Sequence, residues 1–216
     1  MFLVQLPTMK TTMPNLTEIK RAPSSTGILD IIASRWSPRA FIDQSVPTED
    51  LHKIFTAASW AASSTNEQPW RFLFGRSGDS AFAKILDSMA EANQAWAKHA
   101  PVLLLSVGKS TFSPGPYTGQ HNPYALHDTG AASAFLALQT TALGLYAHGV
   151  GGFDREKARA HFDIPPDFEI GACWAIGYLG NPDALPERLR QRELASRSRK
   201  PLAEFVFAEW EVPAKL

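Results

Sequence analysis

Residues 63–70 read Ser-Ser-Thr-Asn-Glu-Gln-Pro-Trp. Stopping a helix needs only one or two such turn formers. Ser63, Ser64 and Thr65, followed by Asn66 and Gln68, offer short donors and acceptors beside the aromatic Trp70. That is a lining suited to a flat heteroaromatic ligand with polar edges. Two basic groups offer a second chemistry: Arg35, Ser37 and Arg39 in SRWSPRAF, and Arg197 with Arg199 near the C-terminus. A guanidinium fork grips a phosphate bidentately, and a hydroxyl adds a neutral donor. Either pair alone also reads as an ordinary solvated surface.

Other chemistries lack their residues. The chain has no G-x-S-x-G elbow, no H-E-x-x-H helix, no paired-cysteine zinc spacing and no G-x-x-x-x-G-K-[ST] phosphate loop. In GVGGFD, Asp154 stands where a dinucleotide fingerprint needs its last glycine. His121 and His127, with Asp128, have no third ligand spaced to join them and read as surface histidines. Cys173, the single cysteine, sits in the apolar run GACWAIGYLG and reads as a buried thiol. With no intrachain disulfide available, a reducing cytoplasm is the expected compartment.

Periodicity then supplies the elements that must hold these residues. A short helix begins near Thr26 and is stopped by Pro38, leaving Arg35, Ser37 and Arg39 at its end. VPTEDLHKIF opens a second helix, with Leu51, Ile54, Phe55, Ala58 and Ala62 on one face; residues 63–70 are its exit loop. WRFLFG reads as a strand, residues 79–100 as one helix and PVLLLSVG as a fully buried strand. Residues 110–125, rich in Pro and Gly and carrying Phe112, Tyr117 and Tyr124, read as a mobile loop. Asp128 is the expected cap of a long alanine-rich helix that ends near Gly144. REKARAHF follows as a shorter helix and FEIGACWAIGYLG as another buried strand. The last residues, from 181, show little periodicity and are expected to wrap a surface. This partial alternation predicts an α+β fold with a mixed sheet flanked by helices.

A chain of 216 residues that is 44% apolar can bury a core without a metal or disulfide staple. Lys plus Arg number 21 and Asp plus Glu 21, so the overall field gives no reason to expect nucleic acid or an anionic membrane. The stretch from Asp128 to Asp154 lacks charged residues between its ends. It is interrupted by Ser133, Gln139, Thr140, Thr141 and His148 and reads as a buried helix, not a membrane span. The N-terminal MFLVQLPTMK has too short an apolar core for a signal peptide, and residues 1–25 read as a loose or extended arm.

Taken in order, these pieces resemble the FMN-dependent nitroreductases over most of residues 26–207. SRWSPRAF is similar to that family's R-x-S-x-R/K-x-F opening, SSTNEQPWRF to its S-x-N-x-Q-P-W-x-F signature, and RSRKPLAEFV to its closing basic-x-R-x-P-L stretch. HDTGAASAFLALQTTALGLYAHGVGGFD resembles its central helix and glycine turn.

The resemblance implies an intertwined homodimer with FMN at the interface. Residues 26–180 would form the flavin-binding domain, and 181–216 an extension wrapping the partner subunit. Arg35, Trp36, Ser37 and Arg39 would hold the ribityl and phosphate groups, with Arg197 and Arg199 closing on the phosphate. Asn66 would reach the ring's polar edge and Gln68 would also bind the cofactor, while Ser63 and Ser64 would belong to the wall supplied by the partner. Val150, Gly151 and Gly152 would present backbone N–H groups to the nitrogen that accepts hydride. No lysine matches the family's frequent ring-side lysine, and Arg39 is the substitute. Phe112, Tyr117 and Tyr124 would form a lid. NADH or NADPH would donate electrons to a small electron-poor acceptor such as a nitroaromatic or quinone. A flavin-storing module without turnover is the alternative reading, and a cofactor-free interaction protein using the arginine tail is a third.

Overall fold

The computed structural model describes residues 15–113 and 115–216. Its centre is a four-stranded sheet of β1 (Trp70–Arg76), β2 (Val102–Lys109), β3 (Tyr146–Val150) and β4 (Phe168–Gly177), in the spatial order β1-β2-β4-β3. The α+β class is as expected, but the sheet is not mixed: all three pairings are antiparallel. β2 is apolar along almost its whole length because helices cover both of its faces. Leu103, Leu105 and Val107 pack with α4 (Ser80–Ser88), α5 (Glu91–Ala97) and α7 (Arg155–Phe162) through Phe82, Ile85, Trp96 and Ala158. Val102 and Leu104 pack on the opposite side with α3 (Thr48–Ser59) and α6 (Ala125–Ala142) through Leu51, Ile54, Ala132 and Leu136.

Between Leu105 and Val107 the pairing slips, so that Gly171 and Ala172 of β4 both face Ser106. The Ser106 hydroxyl accepts from the Ala172 amide at 2.9 Å and donates to its carbonyl at 3.0 Å. A side chain at Gly171 would meet that hydroxyl at 2.7 Å, so the serine mends the bulge only against a glycine.

Several boundaries differ from those expected. Residues 79–100 hold two helices, broken at Met89 and Ala90. Neither proline nor glycine causes the break. Instead Met89 bridges to Phe153, and the Ala90 amide donates to the Gly152 carbonyl at 3.1 Å. α6 begins at Ala125, so Asp128 lies inside the helix and does not cap it. YAHGV forms β3 in a stretch read as a passage between helices. Of the N-terminal arm, residues 1–14 lie outside the described residues; Leu16–Lys20 form a short helix, α1. The tail contains α8 (Glu187–Leu194) and a small hairpin of β5 (Phe207–Glu209) and β6 (Val212–Pro213).

Candidate functional site

The basic turn starts where α2 (Asp30–Ser34) ends. Arg35 leaves the helix in an extended conformation and donates to the Ser37 hydroxyl at 3.2 Å. Arg197 reaches back to the same place and donates to the carbonyls of Arg35 and Ala33, the latter at 2.7 Å. Those carbonyls are left without helical partners by the end of α2, so Arg197 caps it. Arg199 closes the group. Burial, then repulsion by Arg199, lowers the pKa of the Arg35 guanidinium; burial, then Arg199 and Arg35, does the same to Arg197. Among the described residues none of these three arginines forms an ion pair. Trp36 is buried edge-on against Tyr146 with Lys20 over its ring.

Beneath the turn lie residues that no sequence signal marked. Glu193 of α8 is 1% exposed. One of its oxygens accepts from the backbone amides of Arg39 at 2.7 Å and Ala40 at 3.1 Å. Its other oxygen has no hydrogen-bond partner among the described residues and lies 3.9 Å from the Arg39 guanidinium. Burial raises the Glu193 pKa, against the pull of those amides and of Arg39 and Lys20. Lys20, itself buried, donates to the carbonyls of Arg192 and Ala195 at the end of α8. His148 of β3 stacks at 4.6 Å on Trp96 and holds the Pro38 carbonyl at 2.8 Å through Nδ1. Burial, with Arg39 and Arg35 adding to it, lowers its pKa to about 4, so the imidazole is neutral at pH 7.

The 63–70 segment is built differently. Thr65, Asn66 and Gln68 have φ of 52°, 58° and 51°, the left-handed region that costs a side-chain-bearing residue free energy. The Gln68 amide donates to the Ser63 hydroxyl at 3.0 Å, and the Gln68 side chain donates to the Asn66 carbonyl at 3.2 Å. The segment is anchored at a distance where the Ser64 amide donates to the buried carboxylate of Asp128 at 2.9 Å and where the Pro69 carbonyl accepts from the Lys109 amide, also at 2.9 Å. His127 contacts the other Asp128 oxygen, also at 2.9 Å. Asn66 and Gln68 remain exposed.

The loop carrying Phe112, Tyr117 and Tyr124 is tied to this segment, because the Ser113 amide donates to Glu67 at 2.8 Å. Phe112 and Tyr117 pack ring to ring at 5.5 Å, and Tyr117 and Tyr124 are about half exposed. At the end of β3, past the buried Val150, the exposed Gly151 and Gly152 amides have no acceptor among the described residues. The Gly152 carbonyl is held by the Asn93 side chain at 2.9 Å as well as by the Ala90 amide. A side chain at Gly151 would meet nothing within 4 Å, whereas one at Gly152 would meet Asn93 at 2.7 Å.

The structure thus brings Arg35, Ser37, Arg197 and Arg199 together, and separately Ser63, Ser64, Asn66, Gln68 and the aromatic loop. No hydrogen bond, ion pair or ring contact among the described residues joins the two groups. Cys173 is fully buried and its thiol is pushed up to about 12, so it takes no part.

The profile of the Nitroreductase family matches residues 32–95 and 74–178. A Stenotrophomonas maltophilia (strain K279a) protein provisionally named NADH dehydrogenase/NAD(P)H nitroreductase is 29% identical over 167 residues, 69% of this chain and 83% of that protein. The crystal structure of an oxidoreductase containing FMN superposes with a TM-score of 0.79 at 36% identity, covering 84% of this chain and 91% of that one. A nitroreductase-like protein of Desulfovibrio desulfuricans, solved with FMN, has the same fold at 24% identity and a TM-score of 0.66.

Proposed function

The chain belongs to the nitroreductase family of oxidoreductases, and on that footing we propose that it is an FMN-dependent NAD(P)H oxidoreductase. It reduces nitroaromatics, quinones or similar electron-poor acceptors in a ping-pong cycle. The observation that carries this reading is the cluster of Arg35 and Arg197, both partly buried, with the exposed Arg199 beside them, three like charges that lack a carboxylate partner among the described residues. Such a cluster is stabilised by an anion from outside the chain. The FMN phosphate fits it, with Arg35, Ser37 and Arg199 as direct partners and Arg197 fixing the turn from behind.

The remaining residues suit the rest of that cofactor. Asn66 and Gln68 are exposed on a segment whose unfavourable backbone is what observed strain at a ligand site looks like. The amides of Gly151 and Gly152, unengaged among the described residues, are donors that suit an acceptor on the ring. When bound, FMN accepts hydride from the nicotinamide and passes reducing equivalents to the second substrate. The chain itself then has to orient both partners and exclude water, for which no acid, base or nucleophile is required.

A second copy would bring the two separate groups into one site. Leu29 is 70% exposed and Trp210 is 87% exposed, with Ile28, Ile32, Phe135, Leu202 and Phe205 also open, apolar side chains for a second copy to cover. Residues 181–216 are the segment expected to embrace that copy. No described helix is long and apolar enough to cross a membrane.

The test is the visible spectrum of the purified protein under anaerobic conditions. Bound flavin should bleach on addition of NADH or NADPH and recover its colour with a nitroaromatic or quinone. Flavin that stays oxidised in excess of both nucleotides defeats the enzyme reading. Bleaching without steady nucleotide consumption in the presence of acceptor points to a storage role, to which Gly151, lacking any side chain to tune the ring, would be no obstacle.

A further inference from the structure

Two consecutive backbone amides pointing at one spot make an anion site, and in the basic turn that site is already filled from within. The amides of Arg39 and Ala40 both donate to Glu193. Resting on the flavin reading above, we propose that Glu193 is the positioning residue that makes the turn selective for a phosphorylated flavin. By occupying the two amides it fixes the peptide between Pro38 and Ala40, and with it the direction in which Arg35, Ser37 and Arg39 leave the turn. It also turns away from the ligand the one part of the turn that would bind an anion without help from arginine.

Three further observations support this. The carboxylate has a second oxygen with no hydrogen-bond partner among the described residues, 3.9 Å from the Arg39 guanidinium, so it draws that side chain toward the turn's inner side. The charges facing it across the packed elements are those of Lys20 and Arg39, so it is countered without being neutralised by a bidentate pair. And α8, which carries Glu193, runs directly into the segment that carries Arg197 and Arg199. One buried residue therefore sets the distance between the two basic groups. A purely structural need for packing would be met by an apolar side chain at lower desolvation cost.

The experiment compares FMN with riboflavin, which differ by the phosphate alone, binding to the full-length wild-type, Glu193→Gln and Glu193→Ala proteins stripped of flavin. Fluorescence quenching reads the two dissociation constants. Glu193→Ala should lower the preference for FMN over riboflavin by about tenfold, with riboflavin affinity changed less than about threefold. Glu193→Gln keeps an acceptor for both amides and should restore most of the preference. If Glu193→Ala does not fold, Glu193→Asp decides: its shorter side chain withdraws the acceptor from both amides while keeping the charge, and should lower the FMN preference by about tenfold with riboflavin affinity changed less than about threefold, whereas an unchanged preference in that variant overturns the inference. A preference that is unchanged in Glu193→Ala, or that falls only because both flavins weaken equally, overturns the inference while leaving the flavin reading intact. Wild-type protein that binds neither flavin overturns both.

Discussion

The turn at 35–39 and the segment at 63–70 both hold polar groups outward, yet they are held by opposite means. The basic turn has ordinary backbone angles and depends on charges remote in sequence: Glu193 lies 154 positions from Arg39, and Arg197 lies 162 from Arg35. The 63–70 segment is strained, with three side-chain-bearing residues in left-handed conformation, and is anchored at a distance by Asp128 and by the Lys109 and Ser113 amides. Like charges can be gathered only if tertiary structure forces them together. Short amides and hydroxyls can be aimed by the backbone itself, at a cost in conformational energy.

If that contrast is right, acid should damage the first region most. His148, beneath the turn, is held near a pKa of about 4 against an ordinary 6.5. The unfolded chain therefore binds the extra proton first, and stability is lost as pH falls from 6.5 through 4, by about 3 kcal/mol at most. Arg35 and Arg39 act in the same direction, whereas Glu193, raised by burial, acts in the opposite one. The difference between wild type and His148→Phe in denaturant midpoints across this range isolates the histidine. Equal slopes in the two would refute its assignment.

Next in size, Arg35→Ala and Arg199→Ala should each weaken FMN binding by about 1.5–3 kcal/mol, the worth of a charge-assisted hydrogen bond, with little change in unfolding midpoint. Calorimetric titration showing wild-type affinity in both would remove them from the site. For the strained segment the balance reverses: Asp128→Ala leaves the Ser64 amide unpaired and should cost about 1–3 kcal/mol of folding stability. The smallest effect is the sharpest. Thr65→Gly relieves a left-handed β-branched residue and should stabilise by about 0.5–1 kcal/mol net of glycine's entropy, whereas Ser37→Gly in the unstrained turn should destabilise by a similar amount. Like signs in the two would erase the distinction between the regions.

The contrast also explains what could be read from the residues. The SSTNEQPW segment and both arginine pairs announce themselves by residue type, because local backbone and charge are written into a few adjacent letters. The face of α3 is just as plain: Leu51, Ile54 and Ala58 are buried, though the helix stops at Ser59 and Ala62 is exposed. α8 was not legible, since ERLRQREL has no apolar stripe and is held by a buried glutamate that looks like any solvated one and by Lys20, far away in the chain. β3 was hidden because Gly149 and the buried His148 break its apolar run. Asp128 reads as a cap because an acidic residue near a helix start has that use more often than holding an amide far away in the chain, which is what it does here. The break between α4 and α5 comes from contacts with Gly152 and Phe153, which no local pattern records.

Lys20 carries a practical lesson for anyone trimming this protein for crystallography or display. Its ammonium closes the last turn of α8 across 172 positions of chain. A shortened version starting after residue 21, attractive on paper because every flavin-facing candidate survives, would uncap the helix that braces the arginines. Such a clone should express, fold and still come off the column paler than its parent.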